Sequence, residues 1–169
     1  DCMKERYSKR YDEFGYSPQT LGWIKGKQDI RFDSLTSRYN IENKHILDIG
    51  SGFGDLVKTL SAKANSYKYT GVELVEEFIV EAKKRYQEDN IKFINANILE
   101  YEFDELFDFA VASGIFNYRL SNDNNYEFVE QVIKKTMELT KDGLAFDFLS
   151  DKVDFIKYDY TFHNSPERI

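Results

Sequence analysis

The run Asp48-Ile49-Gly50-Ser51-Gly52-Phe53-Gly54 limits what this chain can fold into more than any other segment. The apolar β-type stretch His45-Ile46-Leu47-Asp48-Ile49 leads into it. A stretch of helical spacing, with Leu56, Val57 and Leu60 on one face, leads out. Three alternating glycines between strand and helix permit positive φ and let the backbone come close to a ligand. The helix that follows offers unpaired N–H groups and a partial positive charge. The pattern is that of a βαβ unit with a binding loop at its first turn.

The rest of the chain keeps that rhythm. A second strand is expected over residues 67–73, then an amphipathic helix over 75–89 with Phe78, Ile79, Ala82 and Tyr86 at helical spacing. Strands follow over 91–95 and 107–112, a helix over 126–139, a turn at Lys141-Asp142-Gly143 and a fifth strand over 144–149. Alternation of this kind predicts a doubly wound, Rossmann-like α/β fold, its mostly parallel sheet covered by helices on both faces. Residues 1–42 precede the rhythm and hold Tyr7, Tyr11, Phe14, Tyr16, Trp23 and Phe32, a break at residues 15–18 and an expected helix over 28–39. The tail from Asp151 is aromatic and aperiodic. With no repeat or linker, one domain is expected: an N-terminal helical cap or lid (1–42), a cofactor-binding core (43–150) and the aromatic tail (151–169).

Composition narrows the partners. A formal charge of -7 over 169 residues argues against a general nucleic-acid binder, which needs a basic face. Cys2 is the only cysteine, so an intrachain disulfide and a cysteine-only metal site are excluded. No His/Asp/Glu spacing suggests a metal. The opening Asp1-Cys2-Met3-Lys4-Glu5-Arg6 is too charged for a secretory signal, and no apolar run approaches the ~20 residues that span a bilayer. A cytoplasmic setting without a membrane partner is expected.

Glu73 ends the second strand, where a carboxylate can accept from both hydroxyls of a ribose. A dinucleotide fingerprint needs a third glycine three residues after the second, and that position is Asp55. Carboxylates at Asp55 and Asp48 would repel a pyrophosphate. S-adenosylmethionine has no phosphate and carries a cationic sulfonium and ammonium, so acidic neighbours suit it. On these residues, and from about residue 20 to residue 169, the chain resembles the class I S-adenosylmethionine-dependent methyltransferases of the small bacterial methyltransferase-domain type.

That resemblance implies roles for particular positions. Gly50, Ser51, Gly52, Phe53 and Gly54 would line the methionine part, with Asp48 supporting the loop or the ammonium. Glu73 would take the ribose hydroxyls and Leu74 the adenine, with Asn97 and Ile98 beside it. Ser113 and Gly114 would face the transferring methyl. Trp23, Gln28 and Arg31 would belong to a substrate-side cap, and Asn117 and Tyr118 to the acceptor. S-adenosylhomocysteine would be the product. No catalytic residue is implied, because the sulfonium methyl is already a strong electrophile and alignment does most of the work.

Plainer readings stand beside these. Asp48 can merely cap the loop, Asn97 can be a turn residue, and the N-terminal aromatics can be lid packing. Asp147 and Asp151 flank the fifth strand, where they orient an acceptor or only meet solvent. His163 reads as a surface histidine and His45 has no role. The segment Ser113-Gly114-Ile115-Phe116-Asn117-Tyr118-Arg119 lacks the Asn/Asp-Pro-Pro-aromatic pattern of many nucleic-acid amino-methylating enzymes. A small-molecule acceptor with an O- or N-nucleophile is therefore expected. The alternatives are a non-catalytic S-adenosylmethionine-binding or assembly module, then a nucleic-acid methyltransferase, with a dehydrogenase a distant further reading. The family sheet normally closes with two further strands, which are apparently absent before Ile169. An exposed edge then invites a homo-oligomer or a covering partner.

Overall fold

Five short apolar runs pair side by side, all parallel, in the order β3-β2-β1-β4-β5. In the computed structural model, which describes residues 2–22, 27–155 and 157–169, these strands are β1 (Lys44–Ile49), β2 (Tyr67–Glu73), β3 (Ile91–Asn95), β4 (Phe107–Ala112) and β5 (Thr140–Phe146). Helices α1 (Cys2–Phe14) and α2 (Gln28–Thr36) precede the sheet. Helices α3 (Leu56–Lys63), α4 (Glu76–Arg85) and α5 (Asn125–Leu139) lie between strands. The strand order reverses at β1, with β2 and β3 to one side and β4 and β5 to the other. In such sheets a crevice opens beyond the carboxyl ends at the reversal, here between β1 and β4.

Both faces of the sheet are covered, which is why its central strands are apolar throughout. Register aligns Ile46 and Asp48 of β1 with Tyr69 and Gly71 of β2, and Gly71 with Phe93 of β3. Ile46, Tyr69 and Phe93 share a core with Phe32, Leu56, Val57, Leu60, Ile79 and Ala82. The alternate residues Leu47, Ile49, Val72, Ala110 and Ala112 face Val129, Val132 and Leu139. Burying one large side chain of this kind contributes about 1.5–3 kcal/mol.

Four boundaries differ from the sequence expectation. The turn expected at Lys141-Asp142-Gly143 is strand, because α5 hands the chain to β5 without a loop residue. Phe107 pairs with Thr140 and Phe109 with Gly143, so β5 carries one extra residue, absorbed where Gly143 adopts φ +134°. The same strand ends at Phe146 rather than 149, as Asp147 turns its carboxylate toward Ser113. Helix α2 stops at Thr36 rather than residue 39, and Tyr39 leaves to stack on Phe109 at 4.2 Å. Helix α4 stops at Arg85 because Tyr86 takes an extended conformation that brings its ring toward Phe93. Helix α1 went unmarked in the sequence, although Tyr7 and Tyr11 sit one helical turn apart. Among the described residues no helix is long and apolar enough to cross a membrane.

Candidate active site

The glycine loop folds back over the end of β2. Gly50 and Ser51 both donate their N–H to Val72 O, at 2.8 and 3.1 Å, and Gly54 N–H donates to Ser51 O at 2.9 Å. This tight path needs positive φ at Gly50 (+70°), Gly52 (+55°) and Gly54 (+78°). Close neighbours add a second reason. A Cβ on Gly54 would meet the Phe93 ring at 2.6 Å, and one on Gly50 would overlap the Ile115 side chain.

Two buried carboxylates support the loop from below. Glu73 accepts the Gly52 N–H through Oε2 and the Val75 N–H through Oε1, both at 2.9 Å. Burial pushes its pKa up, and the N–H groups of Val75, Gly52 and Leu74 oppose that shift. Asp48 is fully enclosed and accepts the Tyr69 hydroxyl at 2.7 Å. Burial pushes its pKa up to about 7; the Tyr69 hydrogen bond works against this, and the charges of Glu73 and Asp55 add to it. Tyr69 was not singled out in the sequence. The period of two in β2 is the signal that places it on the Asp48 face, one step from Gly71.

The titration of Asp48 sets a pH dependence. The ordinary value is 3.8 and the folded value is about 7, so between these the folded chain holds a proton that the unfolded chain has lost. Stability should therefore fall as pH rises from about 4 to about 7 and level off above. Asp48→Asn keeps an acceptor for Tyr69 and removes the titration. Its unfolding free energy, followed by urea melts across that range, should slope less than the wild type by up to about one proton, and it should be the more stable protein at pH 8. Parallel slopes would show that Asp48 ionises normally in the fold.

At the end of β4 a third carboxylate gathers donors. Asp147 accepts the Ser113 hydroxyl at 2.6 Å and the Gly114 N–H at 2.8 Å, and the Arg31 guanidinium of α2 at 3.4 Å. One side chain thus fixes the Ser113-Gly114 corner and ties the cap to the sheet. Asp147 is thus engaged by protein donors and does not only meet solvent.

The N-terminal aromatics cover the loop. Phe53 sits 4.7 Å from Phe78, with Tyr11 and Tyr16 at 5.9 and 4.9 Å from Phe53 and Tyr7 at 6.1 Å from Phe78. Leu21 lies 3.3 Å from where a Gly52 Cβ would be. The Tyr16 hydroxyl donates to Asp55 at 2.9 Å, and the Arg85 guanidinium lies 3.2 Å from the Tyr16 ring centre. Burial pushes the Tyr7 pKa up, against the pull of Arg6, and nearby Glu73 adds to the rise.

The structure therefore places Asp48, the Gly50–Gly54 loop, Glu73, Ser113 and Gly114 together at the carboxyl ends of β1, β2 and β4. Leu74 follows Glu73, half-buried at the rim. Asn97 has its side chain engaged locally, accepting from Leu99 N–H at 3.1 Å and donating to Glu100 at 2.9 Å. Ile98 is packed in the core with Val72 and Phe107. Gln28 opens α2, and Arg31 reaches Asp147 rather than standing alone. Asn117 and Tyr118 follow the Ser113-Gly114 corner, Asn117 N–H donating to Gly114 O at 3.2 Å. Trp23 lies outside the described residues. Leu21 opens the segment that resembles a substrate-side cap and Ile115 lies in the segment after β4, but neither carries a role of its own in the sequence.

Residues 46–143, from β1 into β5, match the family model described as a methyltransferase domain. The chain belongs to the methyltransferase-domain family. A protein named as a methyltransferase in Mycobacterium tuberculosis is 31% identical over 115 residues, covering 66% of this chain and 67% of the relative. The ubiquinone/menaquinone biosynthesis C-methyltransferase of Rickettsia massiliae is 30% identical over 135 residues, covering 72% and 51%. The ribosomal RNA small subunit methyltransferase A of Metamycoplasma arthritidis is 27% identical over 110 residues, covering 62% and 40%. The chain thus spans about half the length of the latter two. Among solved structures, the N-methyltransferase NodS of Bradyrhizobium japonicum, in complex with S-adenosylhomocysteine, shares the fold of this methyltransferase domain with a TM-score of 0.63 at 18% identity, over 89% of this chain and 75% of NodS.

Proposed function

We propose that this domain binds S-adenosylmethionine in the crevice between β1 and β4 and transfers its methyl group to a small-molecule acceptor. The observation that carries the reading is Glu73. Its two oxygens are held by the N–H groups of Gly52 and Val75 at the end of β2, and each keeps lone-pair capacity for a ribose hydroxyl. The residues suit a cationic, phosphate-free ligand, because the loop is flanked by the carboxylates of Glu73 and of Asp55, whose ion-pair partner Lys58, at 3.5 Å, is itself exposed.

When bound, the cosubstrate supplies an electrophilic methyl carbon on a sulfonium, which an acceptor lone pair takes as the C–S bond breaks and its electrons stay on sulfur. The chain's residues do the rest. The glycine loop would hold the methionine end, Glu73 the ribose and Leu74 the adenine face. Ser113 and Gly114, fixed by Asp147, would border the reacting centre, and the aromatic cover of α1 would exclude water. No residue is assigned as general base. Residues 1–42 would act as the cap, 43–150 as the cofactor core and 151–169 as the acceptor-side tail, with a second copy or partner along the open edge of β5.

Calorimetric titration with S-adenosylhomocysteine tests this reading. Micromolar binding is expected, lost in Gly52→Val, where φ +55° and Leu21 leave no room for a β-branched residue, and not reproduced by NADH. A folded sample that binds no S-adenosylhomocysteine would refute the assignment. A second reading draws on the ribosomal RNA methyltransferase among the relatives. The charge of -7 weighs against it, and tight, salt-sensitive binding of RNA would favour it.

A further inference from the structure

The glycine loop does not hang from Asp48. This carboxylate stands at the carboxyl end of β1, two residues before Gly50, with Gly71 of β2 and Val111 of β4 as its register partners. The loop's own donors go elsewhere: Gly50 and Ser51 N–H to Val72 O, Gly52 N–H to Glu73 and Gly54 N–H to Ser51 O. Among the described residues the side chain that donates to Asp48 is Tyr69, through its hydroxyl at 2.7 Å. The cations nearest in the chain's fold are engaged outside this core, Lys58 with Asp55 at 3.5 Å and Arg85 with Glu81 at 2.8 Å. A neutral amide would serve Tyr69 as well as this acid does.

The surroundings work against its charge. Asp48 shares a face of the sheet with Ile46, Tyr69 and Phe93, and that face is covered by Leu56, Val57 and Leu60 of α3 and by Ile79 and Ala82 of α4. Tyr86, which follows α4, is itself pushed up by burial and adds no positive charge. Glu73 of β2 and Asp55 of the loop bring further negative charge. Glu73 is the contrast: it is equally buried, but the N–H groups of Gly52 and Val75 favour its charged form. Asp48 has a single hydroxyl to do the same. A carboxyl so placed is balanced between its two forms, and a cation brought near it tips the balance toward the charged one.

The two cosubstrate forms differ in that respect. S-adenosylmethionine and S-adenosylhomocysteine share their adenine, ribose, amino and carboxylate groups. They differ by one methyl and by the positive charge it confers on sulfur. A contact with a shared group cannot separate them, whereas an ionised carboxylate in a region of low dielectric can. We propose that Asp48 sets the preference of this site for the sulfonium substrate over its neutral product, holding a proton in the free protein and releasing it to solvent when the sulfonium binds. After methyl transfer the sulfur is neutral, Asp48 recovers a proton from solvent, and the product is held less firmly. The proposal rests on the cofactor reading above and adds to it a residue that distinguishes the two ends of the reaction.

Calorimetry of both ligands in phosphate and in Tris, two buffers with different heats of ionisation, counts the protons exchanged. At pH 7 S-adenosylmethionine should release about half a proton and S-adenosylhomocysteine close to none. The ratio of their affinities should favour S-adenosylmethionine roughly fivefold more at pH 7.5 than at pH 5.5. Asp48→Asn should abolish both effects. Tyr69→Phe removes the hydrogen bond that favours the ionised form, so the rise in the ratio should survive but move to higher pH. A wild-type ratio that does not change with pH would overturn the proposal. So would a pH dependence that persists in Asp48→Asn, which would assign the proton to another group. If Asp48→Asn does not fold, the wild-type proton count and the direction of the Tyr69→Phe shift decide. A folded wild type that binds neither ligand would refute the cofactor reading, and this inference with it.

Discussion

Gly54→Val will lower the melting temperature by roughly 10 °C. Two penalties add at this position. Valine at φ +78° is forced into the left-handed region, and its Cβ would lie 2.6 Å from Phe93 Cζ and 3.2 Å from the Tyr86 ring. Phe93 is 6% exposed and packed against Tyr69, so it cannot swing clear. Strain of this kind costs on the order of 1–3 kcal/mol and overpacking a similar amount. At ~2–4 °C per kcal/mol for a chain of this size, the sum is the shift stated. Gly15→Ala isolates the first penalty: φ is +57° there, with nothing within 4 Å of a new Cβ, and a loss of about 3 °C is expected. Equal melting temperatures for the two variants would mean that Phe93 is not a wall of the loop.

Glu73→Ala should weaken S-adenosylhomocysteine binding by about 100-fold. The substitution deletes the acceptor for Gly52 N–H and Val75 N–H, which loosens the loop, and also the oxygens offered to a ribose. Hydrogen bonds to a charged group are worth roughly 1.5–3 kcal/mol each, and about 2.7 kcal/mol corresponds to two decades in Kd. Glu73→Gln retains one acceptor oxygen and should fall between, at about tenfold. Calorimetry at one pH resolves the series. If alanine and wild type bind alike, the ligand does not reach the end of β2 and the cofactor assignment fails with it.

The residues read with most ease in the sequence were those whose chemistry is local. The glycine loop announces itself because glycines at φ +70°, +55° and +78° have no common substitute, and Glu73 because a strand end next to such a loop has few uses. The mostly parallel sheet followed from the alternation of strands and helices. What stayed hidden depends on contacts between distant segments. Asp147 looks like any acidic residue after a strand until Ser113, Gly114 and Arg31 converge on it across 34, 33 and 116 residues of chain. Asn164 shows no periodicity, and its burial appears only once the tail is seen threaded between residues 117–119 and 149–151. The turn expected at 141–143 failed for a related reason: Lys-Asp-Gly is good turn chemistry, but pairing with β4 and one bulge at Gly143 prevailed over local preference.

The cover over the glycine loop has a kinetic consequence. Leu21 stands above Gly52 and Ile115 against Gly50, and the rings of Tyr11 and Tyr16 pack on Phe53. With Ser51, Gly52, Phe53 and Gly54 buried under this cover, a ligand is expected to wait for an open form to be sampled. Stopped-flow association should accordingly level off with rising ligand concentration instead of climbing linearly, the plateau reporting how fast the cover lifts. The apparent affinity is then the intrinsic one scaled down by the fraction of time spent open. Trimming Leu21 to alanine should raise that fraction, quickening entry and exit together, so that residence time becomes a property of the N-terminal segment rather than of the loop it conceals.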